Sequence, residues 1–260
     1  MLRIAVYSTT ALTLSMGAAH AAPAVALVGD KTLVMFDTDT RTVSGTIEVT
    51  GVDSLLGFDL RPADNTLVGV TPDMVIVTID PATGATTELS TMDTPLTVGD
   101  APVVVDFNPM ADRLRFMTGT TNHRVDVTTG AVTVDGELAF VEGDMHAGEV
   151  PNTVAAAYIN SFGTPEATAM YNIDATIGGL IQQTAPNDGT LAAIGTLGLT
   201  EPAATYAFDV QGTEAGENTA FLVNGTTLYT VDLETGMATE AGSIEGVDGD
   251  IRDIAILPAM

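Results

Sequence analysis

The chain has 260 residues, with 34 acidic side chains against 8 basic ones, a net charge of −26 and a sequence pI near 4.1. A surface this acidic repels phosphate backbones and anionic lipid headgroups, which excludes nucleic-acid binding and electrostatic membrane binding and leaves cations, small ligands and protein partners. With no cysteine there are no disulfides, thiolate nucleophiles or Cys-ligated metals, while 45% apolar residues and a mean hydropathy of +0.29 supply a large core.

Residues 1–21 read as a secretory signal peptide. Arg3 supplies the positive charge, residues 4–18 an apolar stretch rich in small side chains, and Ala19-His20-Ala21 an A-x-A cleavage site. A membrane anchor is the weaker alternative, because Ser8, Thr9, Thr10, Thr13 and Ser15 interrupt the stretch and no basic stop-transfer flank follows. Residues 22–260 are then a single domain exported to the periplasm or the cell exterior, with no membrane span after cleavage. They keep two histidines, His123 and His146.

The mature chain opens with AVALVG, KTLVMF and VSGTIEV, which carry the alternation of half-buried strands. GFDLRP, ending at Pro62, begins a unit continued by NTLVGV, MVIVTID and ATTELS. VDFNP, ending at Pro109, begins a second with RLRFMT, NHRVDV and AVTVDG. A divergent unit at 154–198 holds AAAYIN, ATAMYNID, GLIQQT and LAAIGTLG. YAFDV around Asp209 begins another with NTAFLV, TTLYTVD and MATEAGSI, and DIAILP, ending at Pro258, returns to the opening phrase. Hairpin turns punctuate the units: Asp80-Pro-Ala-Thr-Gly84, Asp126-Val-Thr-Thr-Gly130 and Asp232-Leu-Glu-Thr-Gly236, with Asp37-Thr-Asp-Thr-Arg41 as a copy lacking the Gly. They begin 43, 46 and 106 residues apart, the last gap being two periods.

Four short strands in about 40 to 50 residues is the size of a propeller blade. One orphan strand at the C-terminus and three at the N-terminus complete a blade between them, which closes the ring. The prediction is an all-β, five-bladed propeller of about twenty strands, with six blades if the divergent unit splits. An outer-membrane barrel would need aromatic girdles, and this chain has no Trp and 5% aromatics. A repeat shared by both termini argues against two independent sandwiches.

GFDLRPADNTLVGV, VDFNPMADRLRFMT, NHRVDVTTGAVT, GDMHAGEVPNTVAAAYIN and PNDGTLAAIGTLG resemble the bacterial exported proteins grouped as the domain of unknown function 4394 family. The resemblance spans residues 27–257 and implies an exported β-repeat protein with no assigned reaction and no catalytic residues to carry over. His146 stands where that family usually carries Asn, so chemistry resting on it would not be a family property.

Asp59, Asp106 and Asp209 occupy the same place in three opening strands, with Tyr158 read at that place in the divergent unit and Ala255 in the closing one. Around a propeller axis these residues form an incomplete acidic ring suited to a divalent cation such as calcium. The competing and preferred reading is structural: a buried Asp there accepts backbone N–H bonds. Asp144, His146 and Glu149 form the one crowding of His with carboxylates and are the candidate metal ligands, although their spacing fits a polar inter-blade connection equally well. Asp248, Asp250 and Asp253 read as an inter-repeat turn, since the acidic twelfth position of an EF-hand is missing. Arg113 and Arg115, two apart on a strand, share a face and read as an exposed basic patch.

No G-x-S-x-G elbow, H-E-x-x-H helix or Walker A loop is present. The reading is therefore an exported binding or scaffold module rather than an enzyme, with a small ligand, cation or protein as partner. The alternative is a metal- or carboxylate-dependent hydrolase acting on extracytoplasmic glycans. In a third reading the acidity itself, with one Lys in the chain, adapts the surface to high salt.

Overall fold

A computed structural model describes residues 22–258 apart from 100, 201, 202 and 204; the signal-peptide residues lie outside this range. Five small sheets form a five-bladed propeller, with no helix among the described residues. Blade 1 runs outward from the axis as β21 (Ile251–Ile256), β1 (Pro23–Val28), β2 (Thr32–Asp37) and β3 (Val43–Glu48). Blade 2 is β4 (Gly57–Arg61), β5 (Thr66–Val70), β6 (Val75–Ile79) and β7 (Thr86–Thr91), and blade 3 is β8 (Val104–Asn108), β9 (Arg113–Thr118), β10 (Thr121–Val125) and β11 (Val132–Val134). Blade 4 is β13 (Thr153–Tyr158), β14 (Met170–Asp174), β15 (Gly179–Ala185) and β16 (Thr190–Thr196). A fifth strand, β12 (Ala139–Phe140), pairs in parallel with its outer edge. Blade 5 is β17 (Ala207–Gly212), β18 (Asn218–Asn224), β19 (Thr227–Val231) and β20 (Ala238–Ser243).

Burial grades from axis to rim. The innermost strands β4, β8, β13, β17 and β21 pack against one another in a closed circuit and are buried along most of their length. A strand covered on both faces can be apolar throughout, which is why AFDV and DIAI show no alternation. The rim strands β3, β7 and β20 keep one face in water and are largely exposed. Between blades, five apolar clusters fill the seams, one per pair of neighbours.

The turn phrases hold the blades to each other. The side chains of Asp37, Asp80, Asp126 and Asp232 each accept backbone N–H bonds from within their own turn, such as Ala82 N at 2.8 Å on Asp80. These amides pull the Asp37 and Asp80 carboxyls below the ordinary value. In three of the turns the left-handed fifth residue offers its carbonyl to the connection from the preceding blade: Thr50 N to Gly84 O at 2.8 Å, Asp93 N to Gly130 O at 3.0 Å, and Glu245 N to Arg41 O at 3.1 Å; past the Asp232 turn it is Ala238 N that donates to Leu197 O, at 3.0 Å. Arg41 fills the missing glycine's place with φ at 57°, so the fourth copy keeps the geometry without the residue that makes it easy. The 106-residue gap holds a fourth latch of this kind, Ala185-Pro-Asn-Asp-Gly189, with Ala at the Asp slot and Ala139 N bonding Gly189 O at 2.9 Å.

Gly130 is the tightest of these positions. Its φ is +75°, and a Cβ there would lie 2.0 Å from the Thr91 carbonyl oxygen of blade 2. Gly130→Ala combines the left-handed penalty of about 1–2 kcal/mol with a forced opening of the seam. The expected loss is about 3 kcal/mol or more, read as a fall in melting temperature of about 6 °C or more. An unchanged melting temperature would contradict the latch.

Both chain ends build blade 1. β21 pairs antiparallel with β1 from Ala24↔Ile256 to Val28↔Ile251. The Arg252 guanidinium donates to the carbonyls of Gly29 and Asp30 in blade 1 and of Leu55 and Leu56 at the entrance to blade 2. One side chain thereby fastens the last strand to the two blades that flank the closure.

Candidate functional site

The innermost strand of a blade has a sheet neighbour on one side only, so its other edge presents unpaired N–H groups around the axis. Aspartates answer them across the blades. Asp59 Oδ2 accepts from Phe107 N at 2.8 Å, Asp106 Oδ1 from Tyr158 N at 3.1 Å, Asp253 Oδ2 from Phe58 N at 2.9 Å, and Asp209 Oδ2 from Ile256 N. Each carboxylate takes a backbone N–H of an adjacent blade.

The same geometry gathers charge. One carboxylate oxygen from each of Asp59, Asp106 and Asp209 lies within 4.8 Å of the others, and this is the one such group of His or carboxylate ligands among the described residues. All three side chains are buried, at 5–6% exposure. None of them, nor Asp253, takes part in an ion pair among the described residues. Burial, followed by the neighbouring carboxylates, pushes Asp59 and Asp106 well above the ordinary carboxyl value. Burial raises Asp209 to about 6 and Asp253 to about 7. A cavity of about 480 Å³ reaches Asp59 and Asp209 and is otherwise walled by Pro62, Phe162, Thr213, Glu214 and Pro258, among others. The ring therefore communicates with a funnel large enough for a small ligand.

Two axial positions differ from the sequence reading. Tyr158 stands one residue beyond the Asp slot: its N–H meets Asp106 as the N–H of Phe107 meets Asp59, so Ala157 is the counterpart of Asp106. A one-residue offset turns a strand side chain to the opposite face, and Tyr158 instead points into the seam, where its hydroxyl accepts from Arg115 Nε at 3.3 Å. Asp253, read from the sequence as part of an inter-repeat turn, lies in β21, half-buried beside the axis, where it accepts from Phe58 N. It precedes the slot residue Ala255 by two and so shares its face.

Asp144, His146 and Glu149 do not converge as a metal group. Asp144 uses both oxygens on backbone amides, His146 N and Ala193 N, each at 2.8 Å, which ties the connection to β16. His146 Nδ1 lies 3.1 Å from Glu149 Oε2 on the surface. His123 is buried in β10, and desolvation lowers its pKa, which keeps the imidazole neutral. The expectation of an exposed basic patch is corrected for Arg115, which is 1% exposed and ion-paired with Asp135 at 2.7 Å; Arg113 alone remains on the surface, paired with Asp126. Asp135, arriving from the following loop, supplies the counter-charge that lets the guanidinium be buried.

The family model described as Domain of unknown function (DUF4394) matches residues 32–255. The chain belongs to this family. No curated protein matches the DUF4394 chain. Among solved structures it is similar to a structural genomics protein of unknown function from Bacteroides thetaiotaomicron VPI-5482, with a TM-score of 0.50, 16% identity, and coverage of 89% of this chain and 63% of that one. A protein of unknown function from Bacteroides caccae matches with a TM-score of 0.46 and 9% identity over 92% and 100% of the two chains. An auxiliary nutrient binding protein from Bacteroides ovatus ATCC 8483 matches with a TM-score of 0.46 and 13% identity over 83% and 58%. The DUF4394 chain thus spans 63% of the length of the first of these structures, and the likeness is one of fold.

Proposed function

We propose that this protein is an exported, non-catalytic binding module whose axial carboxylates hold a divalent cation of the calcium class. The observation that carries the reading is the spacing of the ring: three carboxylate oxygens within 4.8 Å of one another. Calcium binds oxygen at about 2.3–2.6 Å, so two ligands on opposite sides of the ion stand about 4.6–5.2 Å apart. A hard cation would supply the counter-charge that Asp59, Asp106 and Asp209 do not receive from any ion pair among the described residues, and the funnel leaves room for water or ligand oxygens to complete its coordination. Export is supported by the signal-peptide pattern of residues 1–21.

The test is thermal unfolding of chelator-treated protein at pH 8, above the values of about 6 and 7 at which Asp209 and Asp253 titrate. Added calcium at about a hundred times its dissociation constant stabilises by about 2.7 kcal/mol, which is about 5–10 °C for a domain of this size. Asp106→Asn should remove the shift. A parent protein whose melting temperature does not respond to calcium, magnesium or manganese overturns the reading.

A further inference from the structure

The seam between blades 3 and 4 departs from the other four. Ladder pairing aligns Arg115 with Val25, Val68, Tyr171 and Phe221, and Asn122 with Leu33, Ile76, Leu180 and Leu228. From the facing side, Gln183 aligns with Phe36, Ile79, Val125 and Val231. Positions that are apolar, or Tyr171 alone, in every other seam are here occupied by polar side chains no more than 1% exposed.

They form one network. Arg115 Nη1 donates to Asn122 Oδ1 at 2.8 Å and to Asp135 Oδ2 at 2.7 Å, and Nη2 donates to Asn187 Oδ1 at 3.1 Å. Asn122 Nδ2 and Gln183 Nε2 converge on the carbonyl of Pro186 at 2.8 and 2.9 Å, and Asn172 Nδ2 donates to Gln183 Oε1 at 2.9 Å. Asn172 Oδ1 is buried without a partner among the described residues. Stability does not call for this arrangement: replacing a buried ion-pair network with well-packed apolar residues is often neutral or stabilising, and the sister seams show the apolar solution in the same fold.

The network holds the 185–190 turn as the rim of a cavity of about 520 Å³, within the range of small-ligand sites. Asn108, Tyr158, Thr168, Gln182, Gln183 and Asn187 line it. Carboxamides and hydroxyls offer both donors and acceptors, and the guanidinium beneath is engaged by Asp135, a carboxylate it shares with Arg124, and by Asn122 and Asn187. Asp188 is the one charged residue of the lining, which disfavours an anion, while Ala169, Ala185 and Pro186 offer apolar surface. Neutral groups that both give and take hydrogen bonds match a ligand whose hydroxyls do the same while its C–H face rests on apolar surface. We propose that the cavity between blades 3 and 4 is a binding site for a neutral saccharide of one or two rings.

Saturation-transfer NMR on the purified protein, with chelator present so that the axial ring plays no part, tests this with glucose, galactose, N-acetylglucosamine and maltose as probes and acetate as the charged control. At least one saccharide should receive saturation at millimolar concentration and acetate none. Gln182→Ala combined with Asn187→Ala, both at the rim, should weaken that binding at least tenfold with the melting transition retained. A second variant, Arg115→Val with Asn122→Leu and Gln183→Ile, installs the sister-seam residues and should fold while losing the saccharide signal. No transfer to any of the four sugars, equal transfer to acetate, or full binding by the folded rim variant would each overturn the proposal.

Discussion

Truncation after Asp250 is expected to abolish cooperative unfolding. The deletion removes β21, which pairs with β1 and packs against β4 and β17, so blade 1 loses its axial strand and both of its seams open. Ile251, Ile254 and Ile256 are each at most 7% exposed, and burying three such side chains contributes about 5–9 kcal/mol. Arg252 and its four carbonyl contacts leave with them, together with the Asp253 bond to Phe58 N. That sum is comparable with the whole stability of an ordinary domain, about 5–15 kcal/mol. Circular dichroism melting would show a broad, non-cooperative loss of signal, and a synthetic peptide of residues 251–258 added in trans should restore part of the transition. A sharp transition near the parent temperature in the truncated chain would contradict closure by the terminal strand.

Metal-free protein is expected to become less stable as pH rises from 5 to 8. Asp209 and Asp253 titrate near 6 and 7 in the folded state, against 3.8 for an ordinary aspartate, so the fold binds more protons than the unfolded chain between those values. Stability therefore falls as pH rises, by up to about 1.4 kcal/mol per pH unit for each group. The contribution of protonation is complete below pH 4 and lost as pH climbs through 6 and 7. By pH 8 each of these two axial charges costs on the order of 3–4 kcal/mol relative to its protonated form. Asp253→Asn should flatten the slope, which separates the axial groups from the general self-repulsion of a chain at −26. Saturating calcium should flatten it in the parent as well, because the cation takes the place of the protons. A melting temperature that rises from pH 5 to 8 in chelator would show that the axial carboxyls are ionised throughout.

The axial site was half legible in the sequence. Asp59, Asp106 and Asp209 recur at one point of a repeated phrase, and repetition marks a position that the architecture uses in each blade. Tyr158 lies one residue past the slot, which AAAYIN hides because it has no Asp to anchor the alignment, and in a strand one residue changes the face. Asp253 was hidden by VDGDIRD, a run of acids and glycine that resembles a turn until β21 continues through it. Arg115 misled for a different reason. Charge on an alternating strand ordinarily faces water, and its burial depends on Asp135, Asn122 and Asn187, which meet it only across a hairpin and a blade boundary.

Local chemistry determined the strands, the Asp-started turns, the blade count and the sharing of blade 1 between the chain ends. All of these rest on a period of two and on turn residues acting within a few positions of themselves. Tertiary structure alone decided what lies between blades: which side chains share a seam, the gathering of three carboxylates at the axis, and the parallel addition of β12 to blade 4. Those contacts join residues 40 to 200 positions apart, and their registry follows from how five twisted sheets pack around one axis, which no local pattern encodes.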